Sequence, residues 1–328
     1  MLLAACGGDT ATTTTTGDTG TTGAGGDFAV MPEMTDMSLI LDFVPGGIHA
    51  GIYSAAAEGY FEEANLNVDI QPPTSSADTL RLVLAGQATV GIAPVADVAA
   101  LRAQGEPVKI FLALEQVPLG ALMSTEAIGI SDPSELADGT IGVTGVPSDE
   151  AIARFILESS GVDPSGVEFI TIGFDAVANL IGQTVDAAIG FWSAEAVVLE
   201  LEGETPVVFR ADEYGAPPYP ELVLFSSETT VENQGLLLEA FADALARGYQ
   251  FALDNQAEAI ANLAANADGI DTEFASAEFD NVRPYFLGSD GRFGSLDPEA
   301  FSEYLAWAAE VGILESVPEG LLTTGFMP

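Results

Sequence analysis

From residue 38 onward the chain alternates short aliphatic, β-like runs with segments whose apolar residues recur at helical spacing, and this alternation starts over once. Strands are expected at 38–43, 68–71, 89–93 and 108–115, with helices at 49–63, 76–84 and 95–103 between them. A second series follows. After a short helix at 133–136 it has strands at 140–143, 167–172, 187–190 and 206–210, separated by helices at 149–159, 176–181 and 194–201. Strand–helix–strand succession predicts mostly parallel sheets flanked by helices on both faces. Beyond residue 231 the pattern is almost wholly helical, at 234–253, 256–265, 272–286 and 298–311, and the strand-like 222–226 is expected to return the chain to the first unit.

The expected fold class is therefore α/β with two lobes, which suits 328 residues at roughly 100–200 per domain. Lobe one takes 36–125 and 219–328, and lobe two takes 126–218, with one hinge near 124–129. Residues 1–35 are expected to lie outside the fold. Thr, Gly and Asp dominate 9–27, and such a run buries too little apolar area to offset its ordering entropy, so it reads as a tether. Ahead of it, Leu3-Ala4-Ala5-Cys6 resembles a bacterial lipobox, with only five residues and no basic segment before the cysteine. Cys6 is the expected lipidation site, which places the protein outside the cytoplasm, held to a membrane surface by acyl chains.

Composition removes several classes of function. Eight Lys+Arg against fifty Asp+Glu leave a net charge of −42, which phosphate backbones repel, so no nucleic-acid partner is expected. One cysteine and one histidine rule out an intrachain disulfide, a Cys/His metal cluster and a nucleophilic triad outside Cys6 and His49. No GxSxG elbow, Walker A loop, GxGxxG turn or EF-hand spacing occurs. The sequence thus assigns no catalytic residue, no metal and no cofactor.

In an open α/β sheet, ligands sit at the carboxyl ends of strands, where helix N-termini present free N–H groups. Those positions here are the segments 42–49, 93–97, 115–117, 144–149 and 190–195, which combine aromatics, carboxylates and Gly/Pro turns without a Lys or Arg. The set suits a flat heterocycle, neutral or weakly cationic, sandwiched by rings and held by carboxylates. The candidate ligand-binding residues are Phe43, His49, Tyr53, Pro94, Glu115, Ser148, Asp149, Trp192 and Glu195. Each has a plainer reading: Phe43 and Tyr53 as core aromatics, His49, Ser148 and Asp149 as helix caps, Glu195 on a solvated face. Asp42 reads as a strand-end hydrogen-bond partner rather than a direct contact, and Phe191 as a core residue beside Trp192, which is expected to face the cleft.

The run Asp42-Phe43-Val44-Pro45-Gly46-Gly47-Ile48-His49, then Glu58-Gly59-Tyr60-Phe61, resembles the opening of periplasmic solute-binding proteins of the thiamine-pyrimidine-precursor type. Leu84-Ala85-Gly86-Gln87 and Val185-Asp186-Ala187-Ala188-Ile189-Gly190-Phe191-Trp192-Ser193-Ala194-Glu195 continue the likeness. The wider group also serves riboflavin, aliphatic-sulfonate and nitrate uptake. This resemblance implies a type II periplasmic-binding-protein fold with the ligand cleft between its lobes. It also implies an ABC permease as partner, a monomer, and an aminopyrimidine guest captured by hinge closure. Riboflavin, a sulfonate or nitrate is the alternative guest, and a pyrimidine-processing enzyme or an adhesive lipoprotein the alternative class. Two departures stand out. Gly46-Gly47 replaces the Asn that follows the family's aromatic-x-Pro turn, and the cysteine-rich motif of the fungal pyrimidine synthases is missing.

The acid excess reads as adaptation to saline surroundings, since a dense carboxylate surface holds water and counterions. The midpoint of thermal unfolding is then expected to rise with NaCl concentration, and a midpoint indifferent to salt would count against that origin.

Overall fold

Two five-stranded sheets carry the computed structural model, which describes residues 28–328. The strands are β1 (Thr35–Ile40), β2 (Leu66–Gln71), β3 (Val90–Pro94), β4 (Val108–Ala113), β5 (Gly120–Thr125), β6 (Thr140–Val143), β7 (Glu168–Thr171), β8 (Ala187–Phe191), β9 (Pro206–Arg210) and β10 (Leu222–Ser227). The first sheet runs β2-β1-β3-β10-β4 and the second β7-β6-β8-β5-β9. Each has parallel strands at one end and a single antiparallel strand in fourth position, β10 in the first and β5 in the second. That fourth strand is in each case the one arriving from the other lobe. The two lobes are therefore α/β, as the alternation predicts, and each is completed by chain delivered from its neighbour.

The position of β5 corrects the expected lobe boundary. Because Gly120–Thr125 pairs with β8 and β9, the first crossing lies between β4 and β5, ahead of the 124–129 segment assigned to it from the sequence. The second crossing falls between β9 and β10. A buried carboxylate fastens the two together: Glu221 Oε2 accepts from the Leu119 amide (3.0 Å), the Gly120 amide (3.1 Å) and the Tyr219 hydroxyl (3.2 Å). Burial raises the pKa of Glu221 above the ordinary range, while those amides pull it back.

The fold also begins earlier than expected. The Ala29 amide donates to Asp243 (2.8 Å), the Met31 amide to Ala64 O (3.0 Å), and Thr35 already opens β1, so residues 28–35 belong to the first lobe. Cys6 and the lipobox lie outside the described residues. No helix among the described residues is long and apolar enough to cross a membrane.

Helix Gly235–Asp254 crosses helix Ala50–Ala57 at close range because both present glycine at the contact. A Cβ on Gly248 would lie 2.2 Å from Gly51 O, and one on Gly51 would lie 2.4 Å from the Tyr249 ring. The outer edge of β4 is covered by the C-terminal segment, whose Leu321 carbonyl and Thr323 amide pair with Ile110 (2.9 Å each). Lys109 Nζ on Gly320 O (3.0 Å) and Arg102 Nε on Glu319 O (2.9 Å) hold that segment in place.

The lobes also touch through aromatic pairs. Phe155 on helix Pro147–Ser159 meets Trp307 on helix Pro298–Glu310 edge-on, with centroids 4.9 Å apart, and Phe43 meets Phe174 at 4.4 Å. Gly248→Ala is expected to push the two first-lobe helices apart and lower unfolding free energy by about 2–3 kcal/mol, as overpacked cores do. Urea denaturation of the variant measures it, and an unchanged midpoint would overturn the packing argument.

Candidate functional site

The strand-end rule places a site where the carboxyl ends of β1 and β3 face those of β6 and β8, and a cavity lies there. Counting the solvent at its mouth, the space between its walls is about 690 Å³. The first lobe contributes Asp42, Phe43, His49, Ser76 and Pro94, joined by Glu278 from helix Thr272–Val282. Thr144, Asp149, Phe191 and Glu195 come from the second.

The loop after β1 is shaped by helix Thr272–Val282. A Cβ on Gly47 would sit 2.1 Å from Ala275 O and 2.6 Å from the Phe279 amide nitrogen, so only glycine fits beneath it. Glu278 accepts from the Ile48 amide at 3.4 Å, and the Tyr249 hydroxyl donates to Ile48 O at 2.8 Å. These contacts present His49 with both ring nitrogens engaged. Nδ1 accepts from the Gly46 amide (3.1 Å), which leaves the proton on Nε2, donated to Asp42 Oδ1 at 2.9 Å. His49 therefore orients Asp42, and the carboxylate, not the imidazole, has acceptor capacity to spare.

In the second lobe, backbone amides hold the acids. Asp149 Oδ2 accepts from the Thr144 amide (2.7 Å) and hydroxyl (2.6 Å), and Glu195 Oε2 accepts from the Phe191 amide (2.8 Å). Gly190 makes room for that carboxylate, since a Cβ there would lie 2.8 Å from the Glu195 carboxyl carbon. Burial pushes the pKa of Glu195 up to about 7, with the Asp149 and Asp42 charges adding to the shift. Glu278 is likewise pushed up to about 7 by burial, with His49 and the Ile48 and Gly47 amides opposing the shift and the charge of Glu195 adding to it. Asp149 is raised by burial against its Thr144 hydrogen bonds.

Five of the nine residues singled out in the sequence line the cavity: Phe43, His49, Pro94, Asp149 and Glu195. Tyr53 does not, being buried in the first-lobe core, where burial pushes its hydroxyl up to about 12. Glu115 lies past the end of β4, off the cavity wall and fully buried, with neither carboxylate oxygen partnered among the described residues. Ser148 turns to the opposite lobe, where its hydroxyl donates to Asp97 Oδ2 at 2.9 Å. Trp192 points to the crossing, with Nε1 on Pro118 O (3.0 Å) and the Arg210 guanidinium 4.3 Å over its ring. Phe191 takes the cavity position instead, because neighbouring residues at a strand end face opposite ways. Ser76 and Glu278 are wall residues outside the strand-end segments the sequence pointed to. Asp42 and Thr144 lie within those segments without being among the nine, and Asp42 is the hydrogen-bond partner expected of it.

A family profile described as "NMT1/THI5 like" matches residues 47–259. The chain belongs to this family. Among NMT1/THI5-like relatives, it is 30% identical over 276 residues to the formylaminopyrimidine-binding protein of Halalkalibacterium halodurans, across 83% of this chain and 84% of that protein. It is 24% identical over 254 residues to a 4-amino-5-hydroxymethyl-2-methylpyrimidine phosphate synthase of Legionella pneumophila, across 76% and 79%. In fold it is similar to the alkanesulfonate-binding protein SsuA of Xanthomonas axonopodis pv. citri bound to MOPS, with a TM-score of 0.71 and 13% identity over 90% of this chain and all of that one. The architecture of this NMT1/THI5-like chain is that of the two-lobed periplasmic binding proteins.

The Ser148–Asp97 contact closes the seam beside the cavity. Burial pushes Asp97 up to about 7, with the charge of Asp149 adding and the Ser148 hydrogen bond opposing, and Asp97 Oδ1 has no partner among the described residues. A carboxylate raised on folding binds more protons folded than unfolded between its two pKa values, so its contribution to stability is lost as pH rises toward about 7. Asp97→Asn is expected to raise unfolding free energy at about pH 8 by on the order of 2 kcal/mol and to leave it nearly unchanged at about pH 5. Thermal melts of both proteins across that range measure this, and an equal effect at both ends would contradict it.

Proposed function

We propose that this chain is the substrate-binding component of an ABC importer and that its lobes close on a thiamine-related aminopyrimidine. The observation that carries the reading is the make-up of the cavity wall, where the aromatic faces of Phe43 and Phe191 stand with carboxylates from both lobes. A flat ring with amino and ring-nitrogen donors satisfies both kinds of surface at once. The relative named for formylaminopyrimidine binding supports the same choice of guest. An alkanesulfonate, the class named for the SsuA neighbour, would meet four carboxylates and no Lys or Arg on this wall. Synthesis, named for the Legionella relative, is the other activity in the family. Binding is favoured over it because the wall carries neither lysine nor cysteine and the one imidazole is spent on Gly46 and Asp42.

In this reading a ligand touching both lobes favours the shut state, which the permease recognises outside the cytoplasm. Cys6 and its tether would hold the protein at the membrane through acyl chains, acting as a monomer. Closure has an optical readout, since Trp192 lies against the crossing and Trp307 against Phe155 of the other lobe.

A thermal-shift panel of 4-amino-5-hydroxymethyl-2-methylpyrimidine, its formylamino relative, riboflavin, alkanesulfonates and nitrate tests the assignment. The pyrimidines are expected to raise the midpoint by mass action and to change tryptophan fluorescence. Glu195→Ala is expected to weaken their binding by ~1–3 kcal/mol. Stabilisation by a sulfonate, nitrate or riboflavin with none from the pyrimidines would reassign the guest, and product formation on incubation would reassign the class.

A further inference from the structure

Four carboxylates meet at the cavity and no fixed positive charge accompanies them. Asp42 and Glu278 stand on the first lobe, Asp149 and Glu195 on the second, and no Lys or Arg lines the wall. Arg210, close to the second-lobe wall, is held on Asp212 and over Trp192. Arg283, just past Glu278, is held by Gln256 and Leu253 O. The imidazole facing Asp42 and Glu278 has no nitrogen left to offer a guest. Glu195 thus faces Asp149 from helix Pro147–Ser159, Asp42 from the end of β1 and Glu278 from helix Thr272–Val282, all acidic. Beyond Asp149 the row continues to Asp97 and Glu221.

Like charges brought together from opposite lobes repel strongly once water leaves the seam. Closing on a neutral guest leaves that repulsion in place, and closing on an anion deepens it. A cation seated between Asp42 and Glu195 removes it and makes closure depend on the guest. The acceptor geometry agrees. In Asp42, Asp149 and Glu195 the protein's own hydrogen bonds fall on one oxygen of each carboxylate, which leaves acceptor capacity on the other.

We propose that the cleft binds its amino-heteroaromatic guest as a cation, protonated on a ring nitrogen, with the charged N–H edges shared between carboxylates of the two lobes. This rests on reading the site as an aminopyrimidine pocket and adds the charge state in which the guest is held. An aminopyrimidine is a weak base, largely neutral in mildly alkaline solution, so binding in this form takes one proton from solvent for each guest. Linkage then requires affinity to fall about tenfold per pH unit above the free ligand's own pKa. Protonation of the carboxylates themselves is the competing account, because burial raises Glu195 and Glu278 and their acidic neighbours add to it.

The test is calorimetric titration of the full chain with 4-amino-5-hydroxymethyl-2-methylpyrimidine at about pH 8, in buffers of different ionisation heat, with the ultraviolet difference spectrum of the bound ring recorded alongside. Expected are an uptake of about one proton per guest, the spectrum of the protonated ring, and affinity lost about tenfold for each further pH unit. Glu195→Gln and Asp42→Asn are each expected to lower the uptake and flatten the pH profile. Binding without proton uptake overturns the charge assignment and leaves the pyrimidine reading standing. Uptake with a neutral-ring spectrum puts the proton on a carboxylate and overturns it as well. No binding of this pyrimidine between about pH 6 and 8 overturns both.

Discussion

Acid groups buried without basic partners are the constraint around which this molecule is arranged. A lone carboxylate removed from water is strongly disfavoured unless hydrogen bonds replace its solvent. Here the replacement comes from the main chain. Amides at strand ends and helix starts hold Glu195, Asp149, Glu278 and Glu221, so the backbone supplies partial positive charge where another protein would use lysine or arginine. Such donors cannot swing away, which fixes each acid in one orientation and keeps the wall preorganised. Glu115 is the exception. Both its oxygens are buried without a partner among the described residues, and burial, with Glu278 nearby, holds its pKa well above the carboxylate range.

The sheets explain how a wall built from distant segments stays in register. Each lobe takes its fourth strand from the chain entering from the other, so neither sheet is complete alone. The crossings lie side by side and share one carboxylate, Glu221, between Tyr219 and the amides of Leu119 and Gly120. Beside these crossings the two lobes face each other along a seam. That is where the aromatic contacts of Phe43 with Phe174 and of Phe155 with Trp307 are made.

Much of this was legible in the sequence because α/β alternation is a local signal and strand ends are predictable positions. Phe43, His49, Pro94, Asp149 and Glu195 were reached that way. Strand β5 was not, since Gly-Ala-Leu-Met-Ser-Thr has one β-branched residue, Thr125 at its end, and is extended because neighbours on both sides pair with it. Phe191 and Trp192 were exchanged because one residue of phase at a strand end reverses which side chain faces the cleft. Glu278 had no local mark at all. It reaches the loop after β1 from 230 positions further along the chain, through a helix whose own pattern records only its packing face. The role of His49 needed atomic geometry, since the tautomer follows from the Gly46 amide.

The C-terminal segment on β4 bears on a different hazard. An uncovered strand edge is a template on which a second chain can extend the sheet. Strong mutual repulsion ordinarily keeps molecules as acidic as this one dispersed, yet acid or concentrated salt weakens that protection. Ile110 already pairs with Leu321 and Thr323, and Lys109 and Arg102 clamp the strap from outside. Resistance to edge-wise polymerisation on that side thus comes from main-chain pairing within the same chain, which does not depend on the surface acids being ionised.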